Sequence, residues 1–386
     1  MPFSYLNDDL QALEEQGLFR RRRIVESAQG AIIRVDGRDY LSFCSNDYLG
    51  LANHPSLIDA ACRGAVQYGV GSGASHLITG HSEAHHKLEL ALAQFVGLPE
   101  ALLFSTGYMA NMGVVSALVG RNDVVFADKL NHASLNDAVL VSRAKMQRYS
   151  HLDLHQLEKQ LIATKNRRKL VVTDAVFSMD GDIVPLLELL QLCERYDAWL
   201  LLDDAHGFGV LGREGKGVLE YFATQSPRII YMATLGKGAG VFGAYVAGSS
   251  EMIQTLIQRA RTYIYTTAFP PMLANALLAS VHLIKEEGWR RQRLHELVRY
   301  LKDHLKLERW FLMPSETPIQ PIVIGSNQET LAASGTLKES GILVPAIRPP
   351  TVPKGGARLR ISFSAAHSFE DARKLVEALN ELEQAI

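Results

Sequence analysis

The run KLVVTDAVFSMDGDIVPLLELLQLCERYDAWLLLDDAHGFG, residues 169–209, decides the fold. Residues 169–173 (KLVVT) form a short continuous apolar run that ends at Asp174. Residues 198–202 (AWLLL) form another that ends at Asp203 and Asp204. Uninterrupted apolar runs of this length read as strands buried on both faces. Between them, in 185–196, Leu186, Leu187, Leu189, Leu190 and Leu192 recur with a helical period. Strands alternating with helices predict a mostly parallel sheet covered on both sides.

The same pattern extends in both directions. Residues 101–104 end in Ser-Thr-Gly, and 123–127 (DVVFA), 228–233 (RIIYMA) and 243–247 (GAYVA) are further apolar runs. The last hundred residues differ. Leu294, Leu297, Val298, Leu301 and Leu305 share one face of a helix over 293–307. Residues 319–324 and 357–363 read as strands, and Ser368 caps a final helix reaching residue 382. The expected organisation is α/β: an N-terminal segment over 1–50, a large sheet domain over 51–284, and a smaller α+β domain over 285–386. Ligands of open α/β sheets sit beyond the carboxyl ends of strands, so the polar residues there are the ones to question.

Composition narrows the function classes. The 386 residues carry 40 basic and 41 acidic side chains, which argues against a strong overall field for nucleic acid. A hydrophobic fraction of 47% with 21% charged residues is ordinary globular usage and excludes disorder, collagen or coiled coil for the bulk. Cys44, Cys62 and Cys193 are sparse and form no CxxC, which points to a reducing compartment without a disulfide framework. The polar, acidic N-terminus has no apolar signal core, and no apolar run is long enough to span a bilayer. The expectation is a cytoplasmic chain with no membrane partner.

Several common motifs fail. In residues 69–80 (GVGSGASHLITG), a dinucleotide fingerprint starting at Gly71 would need glycine where His76 stands. Neither Gly-Lys pair is a phosphate-binding P-loop, since Val210 and Tyr231 occupy the required glycine positions. His81 and His85 have helical spacing beside His86 but lack the glutamate of HExxH, so they read as solvated helix histidines and no metal is expected.

Five other elements are each ambiguous alone. Residues 200–209 (LLLDDAHGFG) deliver two aspartates to a strand end. A buried carboxylate needs a cation or good hydrogen bonds, so Asp203 calls for a partner; a neighbouring Arg or Lys, or an Asx-turn, would serve, and His206 follows closely. Residues 234–240 (TLGKGAG) set Lys237 among glycines after a strand. Such a lysine is either a surface loop residue or a desolvated, nucleophilic amine, with the Thr234 hydroxyl nearby. Residues 105–111 (STGYMAN) open a helix that is either simply capped or holds phosphate at its N-terminus. In 128–134 (DKLNHAS), His132 either bonds a carbonyl or offers a flat ring to a cofactor. In 177–182 (FSMDGD), Ser178 lies in a turn after a strand. Together they are the parts needed to hold pyridoxal phosphate: an acid that keeps the ring nitrogen protonated, an imidazole to stack, phosphate-holding hydroxyls and amides, and an imine lysine.

These residues resemble the α-oxoamine synthases, a branch of the fold-type I pyridoxal-phosphate enzymes. SNDYLGL (45–51), GSGAS (71–75), FSMDGD, DDAHGFGVLG (203–212) and TLGKG (234–238) look like that family's blocks, in its order and spacing, over nearly the whole chain. The resemblance implies that Lys237 is the Schiff-base lysine, that Asp203 pairs with the pyridinium nitrogen, that His206 bonds the ring oxygen and that His132 stacks on the ring. It implies cofactor contacts from Gly107, Tyr108, Ser178 and Thr234, with Thr234 at the phosphate. Thr266 and Thr267, in YTTAFPP, resemble residues that reach the phosphate across a homodimer interface. Asn46 and Arg360 would face the amino-acid substrate, with Arg360 gripping its carboxylate in a bidentate pair. His132, Thr351 and one arginine of 20–23 would face the acyl substrate, and the lead-in GLFR favours Arg20.

Residues 346–353 (AIRPPTVP) resemble the branch that serves biotin formation. The resemblance therefore implies a decarboxylating condensation of L-alanine with a pimeloyl thioester, carried by coenzyme A or by acyl carrier protein. A glycine C-acyltransferase of the same family and a catalytically silent scaffold are the alternatives. Asp174 stands where a glutamate is common, and Tyr108 where another aromatic is tolerated.

Overall fold

The apolar runs become strands because they are sealed from water on both faces: Phe126, Val171, Leu200, Leu201 and Leu202 are completely buried. In the computed structural model, which describes residue 3, residues 5–165 and residues 167–385, seven strands form one sheet. From edge to edge they are Glu100–Phe104, Ala244–Gly248, Ile229–Thr234, Ala198–Asp203, Lys169–Asp174, Val124–Asp128 and Lys145–Tyr149. All run parallel except Ala244–Gly248, which is antiparallel to both its neighbours. The expected mostly parallel sheet is therefore present. The edge strand Lys145–Tyr149 (KMQRY) is largely exposed and polar, so no apolar run announces it.

The chain divides into two units. The larger comprises residues 51–178 and 183–291, and the smaller comprises 1–50, 179–182 and 292–386. Residues 1–50 are therefore not a separate segment, as the sequence suggested. Strand Arg38–Ser42 pairs parallel with Ile342–Leu343, with Leu41 opposite Ile342, and so zips the N-terminal residues into the small unit. The unit limit falls at residues 291–292, inside helix Trp289–His304, rather than at 284–285.

The small unit's main sheet is antiparallel, in the order Phe311–Leu312, Ile319–Gly325, Ala357–Ser362, Ala346–Ile347. Ser368 caps the last helix, Phe369–Ala385: its Oγ accepts from the Asp371 amide, and Asp371 Oδ2 accepts from the Ser368 amide in return. Four residues of the FSMDGD turn, Met179–Asp182, belong to this unit. Asp180 is ion-paired with Arg358, and the two side chains are only 11% and 7% exposed. Arg358 also donates to the carbonyls of Gly356 and Met179.

No described helix is long and apolar enough to cross a membrane. The three cysteines are all free thiols. Removing one partner of the Asp180–Arg358 pair strands a buried charge. Arg358→Met is expected to destabilise the chain by about 3–5 kcal/mol, read as a lowered denaturant midpoint.

Candidate functional site

Asp203 ends strand Ala198–Asp203 and is 4% exposed. Its partners are neutral donors: Asn111 Nδ2 donates to Oδ2 at 2.8 Å, and the Ala205 amide donates to Oδ1 at 3.1 Å. The carboxylate is thus held in a fixed orientation at the carboxyl end of the sheet, where sequence reasoning put it. Asp204 points into packed protein, where its Oδ2 accepts from the Val218 amide and the Tyr231 hydroxyl, both at 2.8 Å. Burial pushes its carboxyl up to about 7. The two aspartates therefore divide: Asp203 is held by Asn111 and the Ala205 amide at the strand end, and Asp204 by Val218 and Tyr231 in the packed interior. His206 is buried in the same turn.

His132 is the N-cap of helix Ala133–Ser142. Its backbone N–H donates to Asp174 Oδ2 at 2.7 Å. Its Nδ1 accepts from the Ser134 amide at 3.3 Å and lies 2.8 Å from Ser134 Oγ. Burial lowers the basicity of the imidazole; Asp203 opposes this, and Lys237 reinforces it. Burial likewise holds the Asp174 carboxyl well above the usual range, and the neighbouring Asp203 adds to the effect. Lys237 and Asp203 therefore both act on His132. The loop before it is locked by Asp128, which accepts from the Leu130 and Leu152 amides at 2.8 and 2.9 Å, and by Asn131, which donates to the Val172 carbonyl at 2.7 Å.

Lys237 is half-buried in the connection between the antiparallel strands Ile229–Thr234 and Ala244–Gly248. The Gly240 amide donates to its carbonyl at 2.8 Å. Gly240 has φ +70°, and a Cβ there would lie 2.7 Å from Leu51 Cβ, so only glycine fits. Thr234 closes the preceding strand and donates from Oγ1 to the Ala205 carbonyl at 3.3 Å.

Helix Gly107–Leu118 begins beside Thr234. Thr106 caps it by accepting from the Met109 amide at 3.1 Å, so the free amides of the first turn belong to Gly107 and Tyr108. A Cβ on Gly107 would lie 2.6 Å from Thr234 Cγ2, so glycine is required for the helix to start so close to this strand end. That cradle of amides beside a threonine hydroxyl, with a fixed buried carboxylate and a half-buried lysine, fits pyridoxal phosphate: the helix start suits the phosphate and Asp203 suits the ring nitrogen. Tyr108 is 44% exposed, with its hydroxyl on Asp137. Ser178 is half-buried and opens the turn 178–180 that follows strand Lys169–Asp174. Thr266 and Thr267 lie in the segment before helix Pro271–Glu286, where Thr267 bridges to Ser75.

The remaining expected residues belong to the small unit. Arg360, 4% exposed, donates to Asn46 Oδ1 from both terminal nitrogens at 3.3 Å, to Ser362 Oγ at 2.7 Å and to Tyr48 Oη at 3.4 Å. Asn46 and Arg360 are thus brought together. The Thr351 amide donates to the Arg348 carbonyl at 3.1 Å. Burial lowers the basicity of Arg348, and the charge of the exposed Arg20 lowers it further, which places Arg20 near the 346–353 segment.

His85 departs from expectation. It is fully buried rather than solvated: Nδ1 accepts from the Ser82 amide at 3.1 Å, and Nε2 faces the Phe269 carbonyl at 2.8 Å. It completes a capping box, and both ring nitrogens are occupied. His76, which stacks on Tyr263, is also buried, and burial drives its imidazole down to about 3. Asn111 and Ser134 are the site residues that sequence reasoning missed; STGYMAN ends on that asparagine, but only the fold carries it to Asp203.

Residues 38–379 match the family described as aminotransferase class I and II. The chain is 63% identical to the 8-amino-7-oxononanoate synthase of Nitrosospira multiformis, over 98% of this chain and 96% of that one. It is 61% identical to that of Nitrosomonas europaea, over 98% and 99%. Among solved structures it is similar to a serine palmitoyltransferase of Sphingomonas wittichii (TM-score 0.92, 28% identity, 99% of this chain and 97% of that chain). A structure of SPT with PLP gives TM-score 0.93 at 28% identity, covering 99% and 98%. An 8-amino-7-oxononanoate synthase from Francisella tularensis gives 0.77 at 31% identity, covering 90% and 98%.

The state of Asp204 can be checked by pH. Its folded value is raised, so the native chain binds its proton more tightly than the unfolded chain. The stability this group contributes is present below the ordinary value of 3.8 and is lost as pH rises to about 7. Asp204→Asn removes that dependence. The advantage of the natural chain over the variant, read from unfolding midpoints, is expected to shrink across this window.

Proposed function

Because the chain belongs to the class I and II aminotransferase family, we propose that it is a pyridoxal-phosphate-dependent acyltransferase that condenses L-alanine with a pimeloyl thioester. Carbon dioxide and the free thiol leave, and the product is 8-amino-7-oxononanoate, a precursor of biotin. The observation that carries the reading is the 63% identity over 98% of the chain; that Lys237 and Asp203 both act electrostatically on His132 supports it.

Pyridoxal phosphate supplies an electron sink for the pair left behind when a bond at the amino-acid Cα breaks. The chain's residues supply the rest. Asp203, oriented by Asn111 and the Ala205 amide, keeps the ring nitrogen cationic. His206 and Ser178 contact the ring's polar atoms. Gly107, Tyr108 and Thr234 hold the phosphate. The Lys237 amine holds the cofactor, then removes the Cα proton of alanine and later returns one. The guanidinium of Arg360, steadied by Asn46 and Tyr48, grips the alanine carboxylate. His132 would stack on the ring of the bound cofactor and would polarise the thioester carbonyl. Arg20 and Thr351 contact the acyl substrate, whose carrier is coenzyme A or acyl carrier protein.

A homodimer fits this reading. Val70, Ile78 and Tyr265 are 71–76% exposed apolar side chains within five residues of Ser75 or Thr267, which bridge to each other. A second copy would cover them and receive Thr266 and Thr267 at its phosphate. The free thiols fit a cytoplasmic setting.

Product analysis tests the reading. L-alanine with pimeloyl-CoA is expected to yield 8-amino-7-oxononanoate and carbon dioxide. A preference for glycine with a shorter acyl-CoA would make it a glycine acyltransferase instead. Lys237→Ala is expected to abolish turnover, and borohydride reduction of the natural enzyme should leave the pyridoxyl label on Lys237 alone. Arg360→Lys loses a bidentate pair and is expected to raise the alanine KM about tenfold or more.

A further inference from the structure

Asn111 is completely buried in helix Gly107–Leu118. Its Nδ2 donates two hydrogen bonds, both 2.8 Å: one to Asp203 Oδ2 and one to Ser134 Oγ. Its own Oδ1 is buried without a partner. Turning the amide over would set that oxygen against the Asp203 carboxylate, so the orientation is dictated by charge. A side chain that leaves its acceptor unpaired in order to aim both N–H bonds is placed for its donors.

The direction of the next bond follows. Ser134 Oγ accepts from Asn111 and keeps its single proton for a further acceptor; His132 Nδ1 lies 2.8 Å away. The Ser134 amide donates to the same nitrogen. Nδ1 is therefore an acceptor twice over, and the proton of the neutral ring belongs on Nε2. The His132 backbone is fixed independently through Asp174.

We propose that Asn111 is a positioning residue that couples the two ends of the site: it orients the Asp203 carboxylate and, through Ser134, fixes His132 as the tautomer with an Nε2–H donor. That donor is what the acyl carbonyl of the substrate requires. This use of the donor rests on the functional reading above; the tautomer itself does not.

The test uses the cofactor-loaded enzyme with 15N-labelled histidine, the His132 signals being identified by their loss in His132→Asn. In the natural enzyme Nδ1 should appear as an unprotonated nitrogen and Nε2 as a protonated one. In Asn111→Ala the two signals should move toward each other, and kcat should fall roughly ten- to a hundredfold while the alanine KM stays within about twofold, because Arg360 is untouched. Ser134→Ala should do the same in smaller measure, and Ser134→Thr, which keeps the hydroxyl, should restore both signals and rate. A proton on Nδ1 in the natural enzyme overturns the proposal. So do unchanged His132 signals in Asn111→Ala. Should Asn111→Ala not fold, the serine pair decides: identical signals in Ser134→Ala and Ser134→Thr overturn it. A tautomer that shifts as expected in an enzyme that makes another product sustains the role of Asn111 and refutes only the substrate assignment.

Discussion

A buried carboxyl group held by neutral donors is the constraint around which the large unit is organised. Asp203 follows three completely buried leucines, Leu200, Leu201 and Leu202, and is itself 4% exposed, so water cannot reach its oxygens freely. Two neutral donors orient it, Asn111 Nδ2 and the Ala205 amide, and neither cancels its charge. Asp203 also shapes its neighbours: it opposes the desolvation of His132 and adds to the protonation of Asp174. Moving this carboxylate by one residue along the strand would turn it to the opposite face of the sheet.

The large sheet was legible because burial on both faces leaves an uninterrupted apolar signature. Runs at 169–173, 198–202 and 228–233 became strands with boundaries shifted by about one residue. What the signature does not carry is direction: 243–247 reads like its neighbours, yet Ala244–Gly248 runs antiparallel to them. The edge strand Lys145–Tyr149 carried no signature, since one edge faces solvent. The place of residues 1–50 was invisible for another reason. Their strand pairs with Ile342–Leu343, some three hundred residues away, and short-range patterns cannot encode such a partner.

In the site, residues whose chemistry is rare in their setting were legible: a lysine among glycines, an acid at a strand end, a histidine before a helix. Those whose work lies in linking others were not. Asn111 looks in sequence like any polar residue near a helix start. Its meaning appears only when Asp203, ninety-two positions on, is folded against it. His85 shows the converse. Its helical spacing suggested solvent, but its partner is the Phe269 carbonyl, and that contact belongs to the tertiary fold alone. Asp204 was seen as half of a pair, and its use of Tyr231 and Val218 could not be anticipated from a doubled aspartate.

The antiparallel strand has one more effect. Because Thr234 and Ala244 face each other across the ladder, the segment holding Lys237 leaves the sheet and comes back to it at the same place. A crossover helix would have hung the amine on a long span free to drift. Here both anchors form one rung of the ladder, so the lysine is held from two fixed points and inherits the stiffness of the sheet's interior. Inserting or deleting residues in this short return would move the lysine away from a position that the ladder on either side keeps fixed.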